Sequence, residues 1–164
     1  MNKVFETVAI VLGDNINTDL LHPPQYFGKD REKIKEGFLK GIAIPIPDSD
    51  NYIIIAGNNF GCGSSRETTI YAIKDAGVKC IVANSFSRIF KRSAFNLGLP
   101  CMEIKKQVRT IKTGEGLKVN MESSMVMDAD KKSVLYLEKM EHYFQEILVN
   151  NGLIQFMERI CKER

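Results

Sequence analysis

Residues 57–67, GNNFGCGSSRE, crowd three glycines, two serines, an arginine and a glutamate into one short stretch. An apolar run (IIIA, 53–56) leads in and a helical pattern leads out, so the stretch reads as a strand passing through glycines to a helix start. Such a junction gathers unpaired backbone N–H groups where the helix dipole adds partial positive charge, and that combination binds anions. Gly61 and Gly63 let the backbone come close to a ligand and take positive φ. Arg66 offers a two-pronged fork for a carboxylate or phosphate, and Ser64 and Ser65 add hydroxyls beside it. A second reading needs no ligand: Ser64 and Glu67 have the spacing of a capping box, each closing a free N–H of the other's turn. Capping accounts for Ser64 and Glu67 but not for three glycines and an arginine in the same loop.

Nucleotide loops do not fit. A P-loop requires lysine after its last glycine, and Ser64 follows Gly63 here. A dinucleotide loop requires a third small residue where Arg66 stands. A second polar cluster, GDNINTD (13–19), puts Asp14 and Asp19 in a turn, where aspartate ordinarily bonds the local backbone. Arg88, Lys91 and Arg92 read as a solvated basic face. His22 and His142 stand alone, and His22 before two prolines reads as a loop residue. The four cysteines, Cys62, Cys80, Cys101 and Cys161, form no C-x-x-C pair, so the chain offers no zinc or iron–sulfur site of its own. Three of them sit in or beside apolar runs as small hydrophobes, whereas Cys62 lies inside the glycine loop.

These residues need a frame. Residues 4–12 read as a strand; LHPPQYFG (21–28) is expected to be irregular, because Pro23 and Pro24 break ladders and helices. Asp30 can cap a helix over 31–40. A strand over 52–56, a helix over about 65–75 ending at Gly77, a strand in KCIVAN and a helix capped by Ser85 and ended by Gly98 follow. That alternation predicts parallel strands with crossover helices. GLKVNM, SMVMDA and SVLYL predict an antiparallel β patch within 105–138, and 139–162 reads as two helices divided at Asn150-Asn151-Gly152.

The 164 residues suit one domain, 1–164, with an ordinary core. The net charge of +3, with acids and bases interspersed, argues against a nucleic-acid partner. No apolar run is long enough for a bilayer and residues 1–12 lack a cleavage-like site, so a cytoplasmic protein with no membrane partner is expected.

Three blocks, GDNINTD followed by proline and tyrosine, AGNNFGCGSSRE, and ANSFSRIFKRSAFNLGLP, occur in one order and resemble the small subunit of 3-isopropylmalate dehydratase, the swivelling domain of the aconitase superfamily. The resemblance spans roughly residues 4–104 and implies an α/β, three-layer swivelling-domain fold, with a mixed sheet, a β patch and flanking helices. It implies a hydro-lyase that interconverts 2- and 3-hydroxy di- or tricarboxylic acids through an enoic acid, foremost 3- and 2-isopropylmalate in leucine biosynthesis. Such a chain works only with a large subunit, which carries a [4Fe–4S] cluster on its own cysteines, and binds no cofactor itself. By the resemblance Ser64 takes the proton beside a carboxylate and Asp19 is the second catalytic residue. Ser65, Arg66, Gly61 and Gly63 hold the substrate, and Tyr26, Phe27, Gly28, Lys29 and Arg31 form the loop that selects it. Two positions depart from the family: the arginine of its Y-L-R-T loop is replaced by Gly28, and Thr68 stands where many members carry histidine. The uncharged Gly28 speaks against a third substrate carboxylate and for an apolar substituent. The alternatives are a methyl- or dimethylmalate or homoaconitate dehydratase subunit, or a non-catalytic carboxylate-binding domain. In isolation the chain is expected to self-associate through apolar surface meant for its partner.

Overall fold

In the computed structural model, residues 4–63, 66–107, 110–128 and 133–163 are described. Four parallel strands come first: β1 (Val4–Val11), β2 (Tyr52–Ala56), β3 (Val78–Ala83) and β4 (Cys101–Gln107). Every residue of β2 is buried and β3 exposes only Lys79, the mark of strands covered on both faces. The crossovers are helical. Between β1 and β2 run α1 (Thr18–Leu21), a 3₁₀ turn (Pro24–Tyr26) and α2 (Arg31–Glu36). Helix α3 (Glu67–Asp75) joins β2 to β3, and α4 (Arg88–Asn96) joins β3 to β4.

The expected antiparallel patch exists as β5 (Gly116–Asn120), β6 (Met125–Asp128) and β7 (Ser133–Leu137). It is continuous with the parallel strands. β7 pairs with β4 and β5 pairs back onto β1, Val4 opposite Asn120, so the sheet closes in the order β1-β2-β3-β4-β7-β6-β5. Alternation along each strand then builds two cores. Ala9, Ile53, Ile55, Cys80, Val82 and Val126 fill the closed sheet, whereas Ile10, Ile54 and Ile81 face Ile70, Ile73, Phe90 and Phe95 of the helices. The tail forms α5 (His142–Val149) and α6 (Leu153–Lys162), divided at Gly152, whose φ of 132° a side chain would resist.

Three local expectations are corrected. Pro23 and Pro24 do not abolish regular structure: Pro24 opens the 3₁₀ turn at a position where its fixed φ fits and no N–H is needed. Helix α3 begins at Glu67 with Arg66 as its N-cap, so Glu67 is the first helical residue rather than the third, and the capping-box register does not hold. Helix α4 is entered at Ser87, because the Ser85 hydroxyl accepts the Asn59 N–H at 2.9 Å.

Candidate functional site

The loops leaving the carboxyl ends of β1, β2 and β3 meet at one end of the sheet, where parallel α/β sheets place their ligands. The glycine loop lies between the other two and bonds to both. On one side, Gly61 and Cys62 donate their N–H groups to Ile16 O at 2.8 and 3.2 Å, and Thr18 N–H returns to Cys62 O at 3.0 Å. On the other, Phe60 N–H reaches Ser85 O at 3.0 Å and Ser87 N–H reaches Phe60 O at 2.9 Å. Both contacts run as parallel bridges, Asn17 with Cys62 and Phe60 with Phe86, so the strand order continues into the loops.

Side chains tighten this seam. Asp14 Oδ1 accepts the Asn58 backbone N–H at 2.6 Å and its side-chain N–H at 3.2 Å, and Asn59 Nδ2 donates to Asn15 Oδ1 at 2.9 Å. Asp14 thus bonds across the chain rather than within its own turn. Asn17 caps α1 by accepting the Asp19 N–H at 2.9 Å, and a Cβ on Gly63 would stand 2.9 Å from the same Asn17 oxygen. Glycine at 57 is set by Asp14, whose Oδ1 would meet an added Cβ at 1.9 Å. At Gly61, φ is 74° and an added Cβ would meet the buried Phe90 ring at 2.2 Å. Gly61 is therefore required for packing, and its N–H is already engaged.

Asp19 is exposed in the first turn of α1, and Gly63 and Arg66 are exposed at the lip of the glycine loop. Ser64 and Ser65 lie outside the described residues. Arg66 lays its guanidinium over the Phe27 ring, 4.6 Å from the centroid, which brings the loop at 26–28 to the start of α3. Gly28 and Lys29 are exposed. Arg31 is directed elsewhere: it pairs with Asp75 at 2.6 Å and covers Tyr71 at 4.1 Å, on the side of α3. Of the basic trio, Lys91 pairs with Glu103 at 2.6 Å, while Arg88 and Arg92 are exposed.

His22 is wholly buried, and neither ring nitrogen has a partner in hydrogen-bond geometry. It packs against Phe27 at 5.1 Å and Tyr26 at 6.5 Å between ring centroids. Burial holds its pKa below the ordinary value of 6.5, opposed in part by the nearby Ile34 backbone. The sequence carried no spacing that marks this burial; it arises because Gly37 lies against the ring, where a Cβ would stand 2.4 Å from Cδ2. Asn17, Asn58 and Asn59 were likewise not singled out, although two asparagine-rich loops at the ends of neighbouring strands were the available signal.

A cavity of about 720 Å³ lies at the amino end of β2 instead, lined by Glu6, Thr7, Asn51, Lys118 and Asp128 among others, and contains none of the site residues. Among the described residues, no group of three or more His, Cys, Asp or Glu side chains could hold a metal ion, and no helix is long and apolar enough to cross a membrane.

The sequence matches the family model of the aconitase C-terminal domain over residues 12–107. A 3-isopropylmalate dehydratase small subunit of Clostridium botulinum is 36% identical over 88% of this chain and 92% of its own length. An isopropylmalate/citramalate isomerase small subunit of Methanocaldococcus jannaschii is 35% identical over 99% of each chain. A 2,3-dimethylmalate dehydratase small subunit of Eubacterium barkeri is 34% identical over 88% and 91%. Among solved structures, a 3-isopropylmalate dehydratase from Methanocaldococcus jannaschii superposes with a TM-score of 0.82 at 30% identity, covering 95% of this chain and 94% of that one.

Proposed function

The chain belongs to the aconitase C-terminal domain family, among the small subunits of 3-isopropylmalate-type dehydratases, and from that premise we propose that it is the small subunit of a hydro-lyase interconverting 3-isopropylmalate and 2-isopropylmalate. The reaction removes water across two adjacent carbons and returns it in the opposite sense. The observation that carries this reading is the three-loop seam: Asp14 and Ser85 accept the Asn58 and Asn59 N–H groups and Asn17 bridges to Cys62, fixing a glycine loop at the carboxyl ends of the parallel strands, with Arg66 exposed on its rim.

In this reading Arg66 and the helix start receive a substrate carboxylate, with Gly63 allowing close approach and Ser65 adding a hydroxyl. Ser64 takes the proton from the carbon beside that carboxylate; a serine can act so only where its oxyanion is stabilised, and the same positive end of α3 would do that. Asp19 stands across the seam as the second acid–base group. Gly61 shapes the loop, and Tyr26, Phe27, Gly28 and Lys29 select the substituent. Without a cation at Gly28, the loop favours an alkyl group. A separate large subunit would bring a [4Fe–4S] cluster to supply Lewis-acid assistance to the departing hydroxyl; among the described residues of this chain no group of His, Cys, Asp or Glu could hold such a centre, and the roles proposed for its own residues are proton transfer and carboxylate binding. Leu20 and Ile89, both large apolar residues exposed beside the seam, support a protein partner at this end. The three-layer swivelling architecture, one domain over 1–164 and a cytoplasmic location belong to the same proposal.

The test is anaerobic co-expression with the large subunit, following alkene formation from 3-isopropylmalate beside citramalate, 2,3-dimethylmalate, citrate and homocitrate. Turnover that requires both chains, prefers 3-isopropylmalate and collapses in Ser64→Ala supports the proposal. A cluster-loaded complex inert on every acid, or activity indifferent to Ser64→Ala, refutes it. Preference for 2,3-dimethylmalate or citramalate would keep the reaction and move the substrate, which the near-equal identities of the relatives leave open.

A further inference from the structure

The contact between Arg66 and Phe27 joins two parts of the molecule that the chain separates by one helix, α2, and one strand, β2. Phe27 ends the 3₁₀ turn, its N–H held by Pro24 O at 3.0 Å. Its ring is half-buried and rests on His22, 5.1 Å between centroids with planes tilted by 43°. His22 in turn has no room to move: it is 0% exposed, and Gly37 lies so close that a methyl group would collide with the imidazole. Phe27 is therefore a fixed platform, and the exposed Arg66 lies against it.

We propose that Phe27 is a positioning residue for Arg66, holding the guanidinium by its face so that the edge stays aimed at a substrate carboxylate. A guanidinium is planar, and the two contacts use different parts of it: stacking takes the face and a bidentate carboxylate takes the edge. Binding need not break the stack. A long arginine otherwise loses much rotamer freedom when it clamps a ligand, and holding it on the ring beforehand removes part of that cost. The stack acts equally on bound substrate and transition state, so its loss raises KM and leaves kcat nearly unchanged. This inference rests on the carboxylate role given to Arg66 above.

The experiment has two arms. In the complex with the large subunit, Phe27→Leu is expected to raise KM for 3-isopropylmalate about two- to five-fold, the range of an exposed cation–π contact, with kcat within about two-fold. Phe27→Tyr, which keeps a ring, is expected to restore KM. Melting curves of both variants separate this from general loosening, since a merely structural role would lower Tm and kcat together. The second arm uses the full chain alone: the Arg66 side-chain resonances, assigned by their loss in Arg66→Lys, should be displaced by the ring current in wild type and Phe27→Tyr and return to ordinary positions in Phe27→Leu. Unmoved resonances in Phe27→Leu, or an unchanged KM in an active complex, overturn the proposal. A complex inert on every acid overturns the hydro-lyase reading instead, and the resonances alone then decide whether the stack exists.

Discussion

Replacing Gly61 by alanine perturbs the seam at its tightest point. Two terms add. The residue sits at φ 74°, where a non-glycine residue pays about 1–2 kcal/mol of backbone strain, less the smaller gain from stiffening the unfolded chain. The new methyl would also lie 2.2 Å from Phe90 Cγ, and Phe90 cannot retreat: it is fully buried, edge-on to Phe60 at 5.2 Å. Overpacking of that kind typically costs about 1–3 kcal/mol, giving roughly 2–4 kcal/mol in all. For a chain of this size each kcal/mol is about 2–4 °C in Tm, so a drop of about 5–15 °C is expected by calorimetry or circular dichroism. Gly114→Ala is the control. Its φ is 92° but nothing lies within 4 Å of an added Cβ, so it carries the strain alone and should lose about 2–4 °C. Phe90→Leu introduced into Gly61→Ala should recover part of the excess, measured as a favourable coupling in the double-mutant cycle. If Gly61→Ala melts within about 2 °C of Gly114→Ala, the collision with Phe90 is not what fixes glycine here, and the close-packed picture of the loop is wrong.

Other outcomes follow from the same geometry. Burial lowers the His22 pKa below 6.5, so the unfolded chain takes up a proton there before the folded one does; stability should be full above about pH 6.5 and fall as pH drops below it, and His22→Phe should flatten that slope in urea melts taken from pH 7.5 to 5. Burial also pushes the Cys80 thiol up to about 12 and raises Cys101 as well, so in native protein at pH 8 a thiol reagent should modify the exposed Cys161 quickly and leave Cys80 and Cys101 untouched until denaturant is added. Because Arg31 is tied to Asp75 with half of its side chain exposed, Arg31→Ala should cost no more than about 1 kcal/mol and leave KM unchanged; a large KM effect would place Arg31 in the site after all. Asp14→Ala removes the acceptor of two Asn58 bonds and should destabilise by about 1–2 kcal/mol in denaturant titrations.

Much of the frame was legible because its signals are local. The apolar runs at 52–56 and 78–83 became the central parallel strands, and Gly77, Gly98 and Gly152 each take positive φ at or just beyond a helix boundary. Asp30 caps α2 by accepting the Glu32 N–H, as its position before a helical run suggested. What failed was local form overridden by distant partners. The Ser64–Glu67 spacing mimics a capping box, yet α3 is entered at Arg66. Asp14 looked like a turn residue, but the groups it bonds lie 44 positions away. Closure of the sheet depends on Val4 finding Asn120, a pairing no short window contains. For the site, the glycine loop and Arg66 were visible as chemistry, whereas the aromatic bed beneath Arg66 was not, since His22, Phe27 and Gly37 meet only when α2 folds back.

Closure of the sheet by β1 and β5 also bears on how such a chain survives before it meets its partner. An open sheet presents a row of free N–H and C=O groups to any passing strand, which is where indiscriminate aggregation starts. Among the described residues, each of the seven strands has a neighbour on both sides. What a newly made copy offers its surroundings is therefore side chains, Ile89 at 62% and Ile154 at 65% exposure among them, rather than unsaturated backbone. Shape and hydrophobicity can be matched by one surface and refused by others, so the chain can wait for a mate without being a template for every strand it encounters.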